Sequence, residues 1–313
     1  MLLVSLFEKL SKVKFPVVNH PDYEAKIGDD HKFPIKKFGE LAKYLKKQKI
    51  VKEFHVPKEC SVDTLTQVHS MDYVNKVKNK TLETEKVKKI GFPLVDSVVR
   101  RSLVATGGTV LASKLALNFG IACNTAGGSH HANYDEGAGF CVFNDVAVAA
   151  KYLTSRGLAQ KILIVDLDVH QGNGCSDIFK NNNNVFTFSM HSKFNYPPIK
   201  SLSDLDVELK QSMEDDEYLD LLESNLKNLI NYEFDFVFYI AGVDIHKNDR
   251  LGKLNITDEG IEKRDQLVIR SFFQKKIPIC GVLGGGYNKD FDKLIELHSS
   301  LHKNCKKILN EKN

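Results

Sequence analysis

Residues 162–174 constrain the fold of this chain more than any other stretch, because they read Ile-Leu-Ile-Val-Asp-Leu-Asp-Val-His-Gln-Gly-Asn-Gly. The branched apolar run is typical of a strand buried on both faces of a parallel sheet. Asp166, Asp168 and His170 follow at its carboxyl end, where open α/β sheets place their chemistry. An extended backbone would project all three side chains to one side. The alternative is a strand end whose polar residues only cap the next helix.

Similar apolar runs alternate with amphipathic stretches along the chain. This order predicts one α/β domain over residues 1–313, with a mostly parallel central sheet flanked by helices and an active site at the carboxyl ends of the strands. Predicted strands cover 14–18, 121–124, 185–191, 234–244 and 277–287 besides the central one. Predicted helices cover 35–49, 95–117, 144–156, 214–232, 257–275 and 291–309. Residues 81–92 are predicted as a surface loop, and 194–210 as a long loop.

Composition excludes several classes of protein. The 313 residues are 42% hydrophobic, which is enough to fill a large core. The net charge of +4 arises from 44 basic and 40 acidic residues, with lysines scattered over helical stretches, so we expect a solvated surface and no direct binding of nucleic acid. The six cysteines stand far apart, as expected of reduced thiols in a cytoplasmic protein.

Membrane insertion and secretion are not predicted. The apolar run Leu2–Phe7 is too short for a signal-peptide core, and no later stretch is long enough to span a membrane. We therefore expect a soluble protein of the cytoplasm. The sequence does not indicate an oligomeric state.

Polar residues also end the other predicted strands. His130 and His131 stand in a glycine-rich loop after residues 121–124, Asp244 ends the strand 234–244, and Tyr287 follows the glycines 284–286. Such a glycine-rich turn is also typical of a phosphate cradle. His69, beside the helix cap Ser70, is predicted to be a packing or turn residue.

Two carboxylates and one imidazole are the ligands of an open catalytic metal site. Three protein ligands leave a position for water on a zinc ion, and the bound metal lowers the pKa of that water to about 7. A neighbouring histidine can then accept its proton. The combined strand ends therefore indicate a metal-dependent hydrolase more specifically than any one motif.

These motifs resemble those of one family over nearly the whole chain. In order, they are Gly-Gly-Ser-His-His at 127–131, Gly-Phe-Cys at 139–141, the segment 166–174, Ala-Gly-Val-Asp at 241–244 and Gly-Gly-Gly-Tyr at 284–287. They resemble the histone deacetylases and deacetylase-like amidohydrolases of the arginase-deacetylase fold. Residues 20–23, 214–220 and 249–252 look most like the class IV branch.

The resemblance implies a role for each motif residue. Asp168, His170 and Asp244 would bind one zinc ion per chain, although iron(II) or cobalt(II) can use the same ligands. His131 would be the general base, His130 its electrostatic or acid partner, and Tyr287 the donor to the oxyanion. Asp166 would orient His130. The remaining implied sites are a structural potassium site (Asp166, Asp168, His170, Ser189 and Met190) and an acyl-lysine channel (Gly139, Phe140 and Tyr196).

Two departures from the family pattern leave alternatives open. Asn173 stands where many members have a second aspartate, so His131 should be less basic. The acidic residue that grips a peptide backbone in some members has no match in residues 81–92.

The predicted function is zinc-dependent removal of an acetyl or longer fatty acyl group from N-acyl-lysine. The alternatives are a deacetylase of small acylated amines such as acetylpolyamines, an arginase-like two-metal hydrolase and a non-catalytic acyl-binding protein. Apolar residues of the loop 194–210 could form an acyl pocket or could seat the loop on the core.

Overall fold

A computed structural model describes residues 15–28 and 30–311. Seven strands form one sheet in which every neighbouring pair is parallel, in the order β1-β2-β7-β6-β3-β4-β5. The strands are β1 (Val17–Val18), β2 (Ile121–Asn124), β3 (Ile162–Asp166), β4 (Val185–Ser192), β5 (Leu205–Leu209), β6 (Phe236–Ile240) and β7 (Ile279–Val282). This arrangement confirms the predicted α/β fold.

Helices connect the strands and cover both faces of the sheet. They are α1 (Lys37–Lys47), α2 (Val62–Leu65), α3 (Met71–Asn79), α4 (Thr84–Ile90), α5 (Asp96–Phe119), α6 (Asp145–Ser155), α7 (Asn173–Phe179), α8 (Asp215–Leu229), α9 (Asp258–Phe273) and α10 (Phe291–Asn310). The apolar side chains form two large buried clusters, as expected of a three-layer domain.

Strand order creates a crevice between β3 and β6. From β3 the chain proceeds outward to β4 and β5, whereas from β6 it proceeds in the opposite direction to β7. Neighbouring strands whose connections leave in opposite directions open a crevice at their carboxyl ends, and ligands bind there in open α/β sheets. The segments that follow β3 and β6 carry Asp168, His170 and Asp244.

Helix starts follow the caps that the sequence indicates. Ser70 Oγ accepts a hydrogen bond from Tyr73 N at the start of α3, and Thr257 accepts one at the start of α9. Asn144 caps α6 by accepting from Ala147 N. These side chains satisfy backbone donors that the first helical turn leaves free.

Two predicted loops contain regular structure. Within residues 81–92, α4 forms a short helix that ends at Gly91 with a φ of +79°. Only two apolar residues of this helix, Val87 and Ile90, face inward, and two are too few to show a helical period in the sequence. The segment 194–210 ends in β5, a sheet-edge strand whose residues are mostly half-buried and therefore lack the apolar run of a central strand.

Some sequence predictions lie partly beyond the described residues. The segment Leu2–Phe7 lies outside the described residues, as does Lys14 of the predicted first strand. That the domain extends over the full span 1–313 stays a prediction. Among the described residues, no helix is both long and apolar enough to cross a bilayer. All six cysteines are buried free thiols.

Candidate active site

Two carboxylates and an imidazole meet at the crevice between β3 and β6. His170 Nδ1 lies 3.0 Å from Asp168 Oδ1 and 3.1 Å from Asp244 Oδ2. Each of the three side chains offers one ligand atom, and these atoms lie within 4.8 Å of one another. All three residues are buried. This set can hold one metal ion, as the sequence predicts.

The surroundings of Asp244 fit a cation. Its Oδ2 is buried and, apart from the 3.1 Å contact with His170 Nδ1, has no hydrogen-bond partner among the described residues, although a buried carboxylate oxygen without a well-formed hydrogen bond is costly. Burial, with the charge of Asp168 added, raises the pKa of Asp244 to about 7. A divalent ion would offset both effects, since it supplies positive charge where two carboxylates converge.

The turn after β3 differs from the extended segment that the alternating residues suggest. β3 ends at Asp166, and the next residues bend, with Asp166 Oδ1 accepting from Asp168 N at 3.1 Å. Asp168 Oδ1 likewise accepts from His170 N at 3.0 Å. The turn separates Asp166, which contacts His130, from the Asp168 and His170 pair, which faces Asp244.

His130 pairs with a buried carboxylate. Its Nδ1 donates to Asp166 Oδ2 at 2.7 Å, and its Nε2 lies 3.9 Å from Asp168 Oδ1. Burial opposes protonation, but Asp166 and Asp168 outweigh it and raise the pKa of His130 to about 9. His130 is therefore protonated at neutral pH in the metal-free protein.

His131 pairs instead with a neutral amide. Its Nδ1 donates to Asn173 Oδ1 at 2.8 Å. Burial and the neighbouring His130 and His170 lower the pKa of His131 well below its usual value. Because Nδ1 carries the proton, Nε2 is left as a hydrogen-bond acceptor, which is the state that a general base requires.

Buried polar groups hold the loop that carries both histidines. Asp145 Oδ1 accepts from Ser129 N at 2.7 Å, and its Oδ2 accepts from Gly128 N at 3.2 Å. On the other side, His69 Nδ1 donates to Asn133 O at 2.7 Å and its Nε2 accepts from Asn144 N at 3.0 Å. His69 is thus a packing residue, as predicted.

Tyr287 reaches the site from the glycine turn after β7. Gly285 N donates to Asp168 Oδ2 at 2.5 Å, and a Cβ at this position would collide with the carboxylate of Asp244. Asp249 Oδ2 accepts from Tyr287 N at 2.6 Å and Tyr287 O accepts from Arg250 Nε at 2.7 Å. Burial, with Asp244 adding to it, raises the pKa of Tyr287 well above 10, so its phenol keeps the hydroxyl hydrogen.

Gly139, Phe140 and Tyr196 surround the approach to His131. A Cβ on Gly139, whose φ is +53°, would lie 2.6 Å from His131 Cδ2. The Tyr196 ring meets the His131 ring edge-on at 4.8 Å between centroids. Phe140 packs 6.1 Å from Tyr287, between ring centroids, and its backbone N donates to Ile90 O of α4 at 2.7 Å. The predicted loop 81–92 therefore does flank the pocket, but as a helix.

The space between these side chains is small. A cavity of about 30 Å³ is bordered by His130, His131, Phe140, Tyr287, Asp168 and His170. Since one water occupies roughly 10–15 Å³ of such volume, the cavity has room for about two water-sized groups. An acetyl group is of this size.

Two buried cations at the cavity were not predicted from the sequence. Lys37 is fully buried although the lysines of its helix were expected to face solvent, and its Nζ donates to Gly284 O at 3.3 Å. Burial lowers its pKa to about 8. Arg101 lies over the Phe38 ring at 4.7 Å, and burial lowers its pKa to about 10. A run of lysines at helical spacing normally indicates a solvent-exposed face. The burial of Lys37 and Arg101 therefore becomes visible only in the packed structure.

The predicted potassium residues are neighbours in the sheet. Asp166 of β3 pairs with Ser189 of β4, and Met190 follows Ser189. Asp168 and His170 lie just beyond the same strand end. The register therefore brings Asp166, Ser189 and Met190 together, Asp168 and His170 follow on the same segment as Asp166, and the ion that these residues hold stays a prediction.

Comparisons with known proteins identify the family of this chain. A model of the histone deacetylase domain matches residues 31–300. Histone deacetylase 2 of Arabidopsis thaliana is 34% identical over 277 residues, covering 85% of this chain and 72% of that protein. An uncharacterized protein of Picosynechococcus sp. is 44% identical over 297 residues, covering 94% of this chain and 99% of the relative.

A solved structure shares the fold. The HD domain of HDA15 superposes with a TM-score of 0.79 at 21% identity, covering 95% of this chain and 88% of that one. The predicted class IV branch is not distinguished by these comparisons. Because the domain model matches most of its length, the chain belongs to the histone deacetylase family and is a hydrolase of the deacetylase type.

Proposed function

We propose that the chain hydrolyses the amide bond of an N-acetylated amine, with an acetylated lysine side chain as its substrate and zinc as its metal. One observation carries the proposal. A neutral histidine with a free Nε2, a protonated phenol and two residues of a three-ligand metal site border one acetyl-sized cavity.

Zinc would be held by Asp168, His170 and Asp244, and when bound it supplies Lewis acidity toward the acyl carbonyl and toward water. His131 Nε2 accepts the proton that the attacking water loses. The Tyr287 hydroxyl donates a hydrogen bond to the oxyanion as the carbonyl carbon becomes tetrahedral. His130, held by Asp166, is the nearby protonated group that can supply positive charge or a proton to the departing amine.

The cavity lining suits the acyl end of such a substrate. Phe140 borders the cavity and Tyr196 packs against His131 beside it, so both rings can contact the lysine methylenes, and the absence of a side chain at Gly139 avoids a clash with His131. Arg101 borders the cavity and Lys37 donates to the carbonyl of Gly284 in its wall, so both place positive charge near the point where the reaction produces a carboxylate. We also propose a structural potassium ion at Asp166, Asp168, His170, Ser189 and Met190. Six free cysteines support a cytoplasmic location.

A longer acyl group is the second candidate, favoured by exposed apolar residues. Phe194, Ile199 and Leu202 are 68%, 85% and 78% exposed, and they belong to the segment that brings Tyr196 to His131. They do not seat the segment on the core. They could cover an acyl chain outside the small cavity, where each buried methylene would contribute about 0.8 kcal/mol.

The test compares acyl length on one lysine peptide that carries acetyl, octanoyl or myristoyl groups, with acetylspermidine as a small amine. We expect kcat/KM to be highest for the acetyl peptide, and a maximum at myristoyl would favour the second candidate. A higher value for acetylspermidine would assign a small-amine substrate.

Metal analysis of the same samples tests the ligand set. We expect about one zinc per chain, and we expect Asp244→Ala to lose both metal and activity, because two remaining ligands rarely hold a catalytic zinc. Full metal content in that variant would contradict the assignment. Binding of every peptide without turnover by the zinc-loaded protein would favour an acyl-binding protein.

A further inference from the structure

A buried ion pair lies behind the segment that carries Asp244. Arg264 and Asp265 belong to the charged run 262–265 of α9, a pattern that usually marks a solvated helix face. Both side chains are instead fully buried. Arg264 Nε and Nη2 donate to Asp265 Oδ1 at 3.1 Å and 2.8 Å. Burying two charges is costly even when they are paired, which makes the other contacts of this pair informative.

The ion pair holds β6 and the turn after it at two points. The hydroxyl of Tyr239, near the end of β6, donates to Asp265 Oδ1 at 2.6 Å. Arg264 Nη1 donates to Gly242 O, two residues before Asp244. Because the guanidinium group is a rigid planar fork, its bonds to Asp265 and Gly242 fix the carbonyl in direction as well as in distance. The peptide that leads to Asp244 is therefore tied to α9.

Gly242 is also in close contact with the other carboxylate of the metal site. A Cβ on Gly242 would lie 2.5 Å from Asp168 Oδ2 and 2.8 Å from Asp168 Cα. The next peptide donates from Val243 N to Gly285 O at 2.8 Å, and Gly285 N donates to Asp168 Oδ2 at 2.5 Å. A displacement of the Gly242 carbonyl would therefore change the position of Asp244 relative to Asp168.

Arg264 does not act in the cavity itself. It is not one of the described residues that border the cavity. Its Cζ lies 5.8 Å from the centre of the Tyr239 ring, and Tyr239 belongs to the second apolar cluster. Asp265 balances its charge, so the pair adds no net charge near the metal-binding carboxylates. Any effect of Arg264 on a metal ion must therefore pass through the turn that it holds.

We propose that Arg264, oriented by Asp265, is a positioning residue for the metal site. It holds the turn 241–243 against Asp168 and so sets the separation between the carboxylates of Asp168 and Asp244. This inference rests on the proposed metal site. Groups that orient metal ligands from behind typically account for about 10–100-fold in metal affinity or activity. A purely structural pair would stabilise the packing of α9 on β6 and leave metal affinity unchanged.

The experiment compares zinc affinity, measured by competition with a chelator, in the unaltered chain and in Arg264→Met with Asp265→Asn. Removing both charges together leaves no unpaired buried charge and keeps the net charge constant, and the asparagine oxygen can still accept from Tyr239. Loss of the Gly242 contact should weaken zinc binding by about 10–100-fold. The absorption spectrum of the cobalt(II)-loaded variant should also change, because it depends on the positions of the ligands.

Arg264→Lys is the second variant. Its ammonium group keeps a charge beside Asp265 but lacks the fork that reaches Gly242 O at the same time. Zinc binding should again weaken by at least about tenfold. Thermal melting of the metal-free proteins shows whether each variant is folded, and Arg264→Lys decides the matter if the double variant is not.

A matched control removes an exposed arginine–carboxylate pair of the same helix. Arg270 Nη1 and Nη2 donate to the carboxylate of Glu311 at 2.6 Å and 2.8 Å. Arg270→Met with Glu311→Gln should change zinc affinity by less than about threefold, because surface ion pairs contribute little.

The outcomes separate this inference from the proposed function. Unchanged zinc affinity in a folded Arg264 variant, or equal weakening in the control, would overturn the positioning role and leave the proposed function intact. No zinc binding by the unaltered chain would contradict the proposed function and this inference with it.

Discussion

Two adjacent histidines occupy opposite electrostatic environments. His130 and His131 have ring centroids only 4.0 Å apart, and each donates from Nδ1 to one oxygen of a partner. The partner of His130 is the carboxylate of Asp166, and that of His131 is the amide of Asn173. Both histidines are buried, so burial alone does not give them different pKa values. The negative charge of Asp166 raises the pKa of His130, whereas the neutral amide of Asn173 leaves the pKa of His131 below its usual value.

This difference assigns the two roles. A histidine that is protonated before the reaction cannot accept a proton, whereas one that is neutral can. Neighbouring groups with separated pKa values are the usual arrangement by which one site holds both an acid and a base at neutral pH. Deleting or altering either side chain or its partner therefore tests the assignment.

The largest expected effect follows removal of the base. His131→Ala should lower kcat by up to about 10⁴, because proton acceptance by a positioned base contributes on the order of 10²–10⁴. His130→Ala, which removes charge but leaves the base, should lower kcat less. Steady-state kinetics at equal metal content would measure both, and a larger loss in His130→Ala would reverse the proposed roles.

Tyr287→Phe should lower turnover by about 10²–10³, the usual effect of deleting an oxyanion donor. The Phe33 and Phe140 rings, whose centroids both lie 6.1 Å from that of Tyr287, should keep the new ring in place. This variant separates the role of Tyr287 from those of the two histidines. The acid and alkaline limbs of the pH profile of turnover are set by the histidines, so their positions should not move. If the plateau value of turnover is unchanged in the variant, Tyr287 has only a structural role.

Asp166→Asn should make the two histidines more alike. In the metal-free protein, the pKa of His130 should fall from about 9, because only Asp168 would then oppose the effect of burial. In the unaltered protein, a folded-state pKa above the unfolded one stabilises the fold below pH 6.5, and this contribution is lost as the pH rises through 9.

Histidine NMR titration and denaturant unfolding of both metal-free proteins would test this expectation. Loss of stability between pH 6.5 and 9 should be smaller in Asp166→Asn than in the unaltered protein. An unchanged His130 titration would show that the 2.7 Å contact does not control its protonation.

The smallest expected effect is a shift without a large loss. Asn173→Asp would place a carboxylate against His131 Nδ1, and an opposite charge this close raises the pKa of a histidine by about one unit or more. The acid limb of kcat/KM should move to higher pH, because His131 must be neutral to act as a base. Asn173→Ala, which removes the hydrogen bond without adding charge, serves as the control and should not move the limb upward.

Much of the fold could be predicted from local patterns. The apolar run before Asp166 and the amphipathic stripe of α1 repeat with the period of their own element, so each can be recognised without its neighbours. Residues at the ends of parallel strands are then brought to one edge by the fold class itself. The predicted grouping of Asp168, His170 and Asp244 follows from this geometry.

Other features depend on contacts between segments distant in sequence. Lys37 is buried because α1 packs its first turn against the glycine turn after β7. The bend after β3 arises from the hydrogen bond between Asp166 and Asp168 N, which interrupts the alternation that an extended strand would continue. A periodic pattern specifies which side of an element faces inward, but the partner that meets this side is specified only by the order of the strands and the packing of the helices.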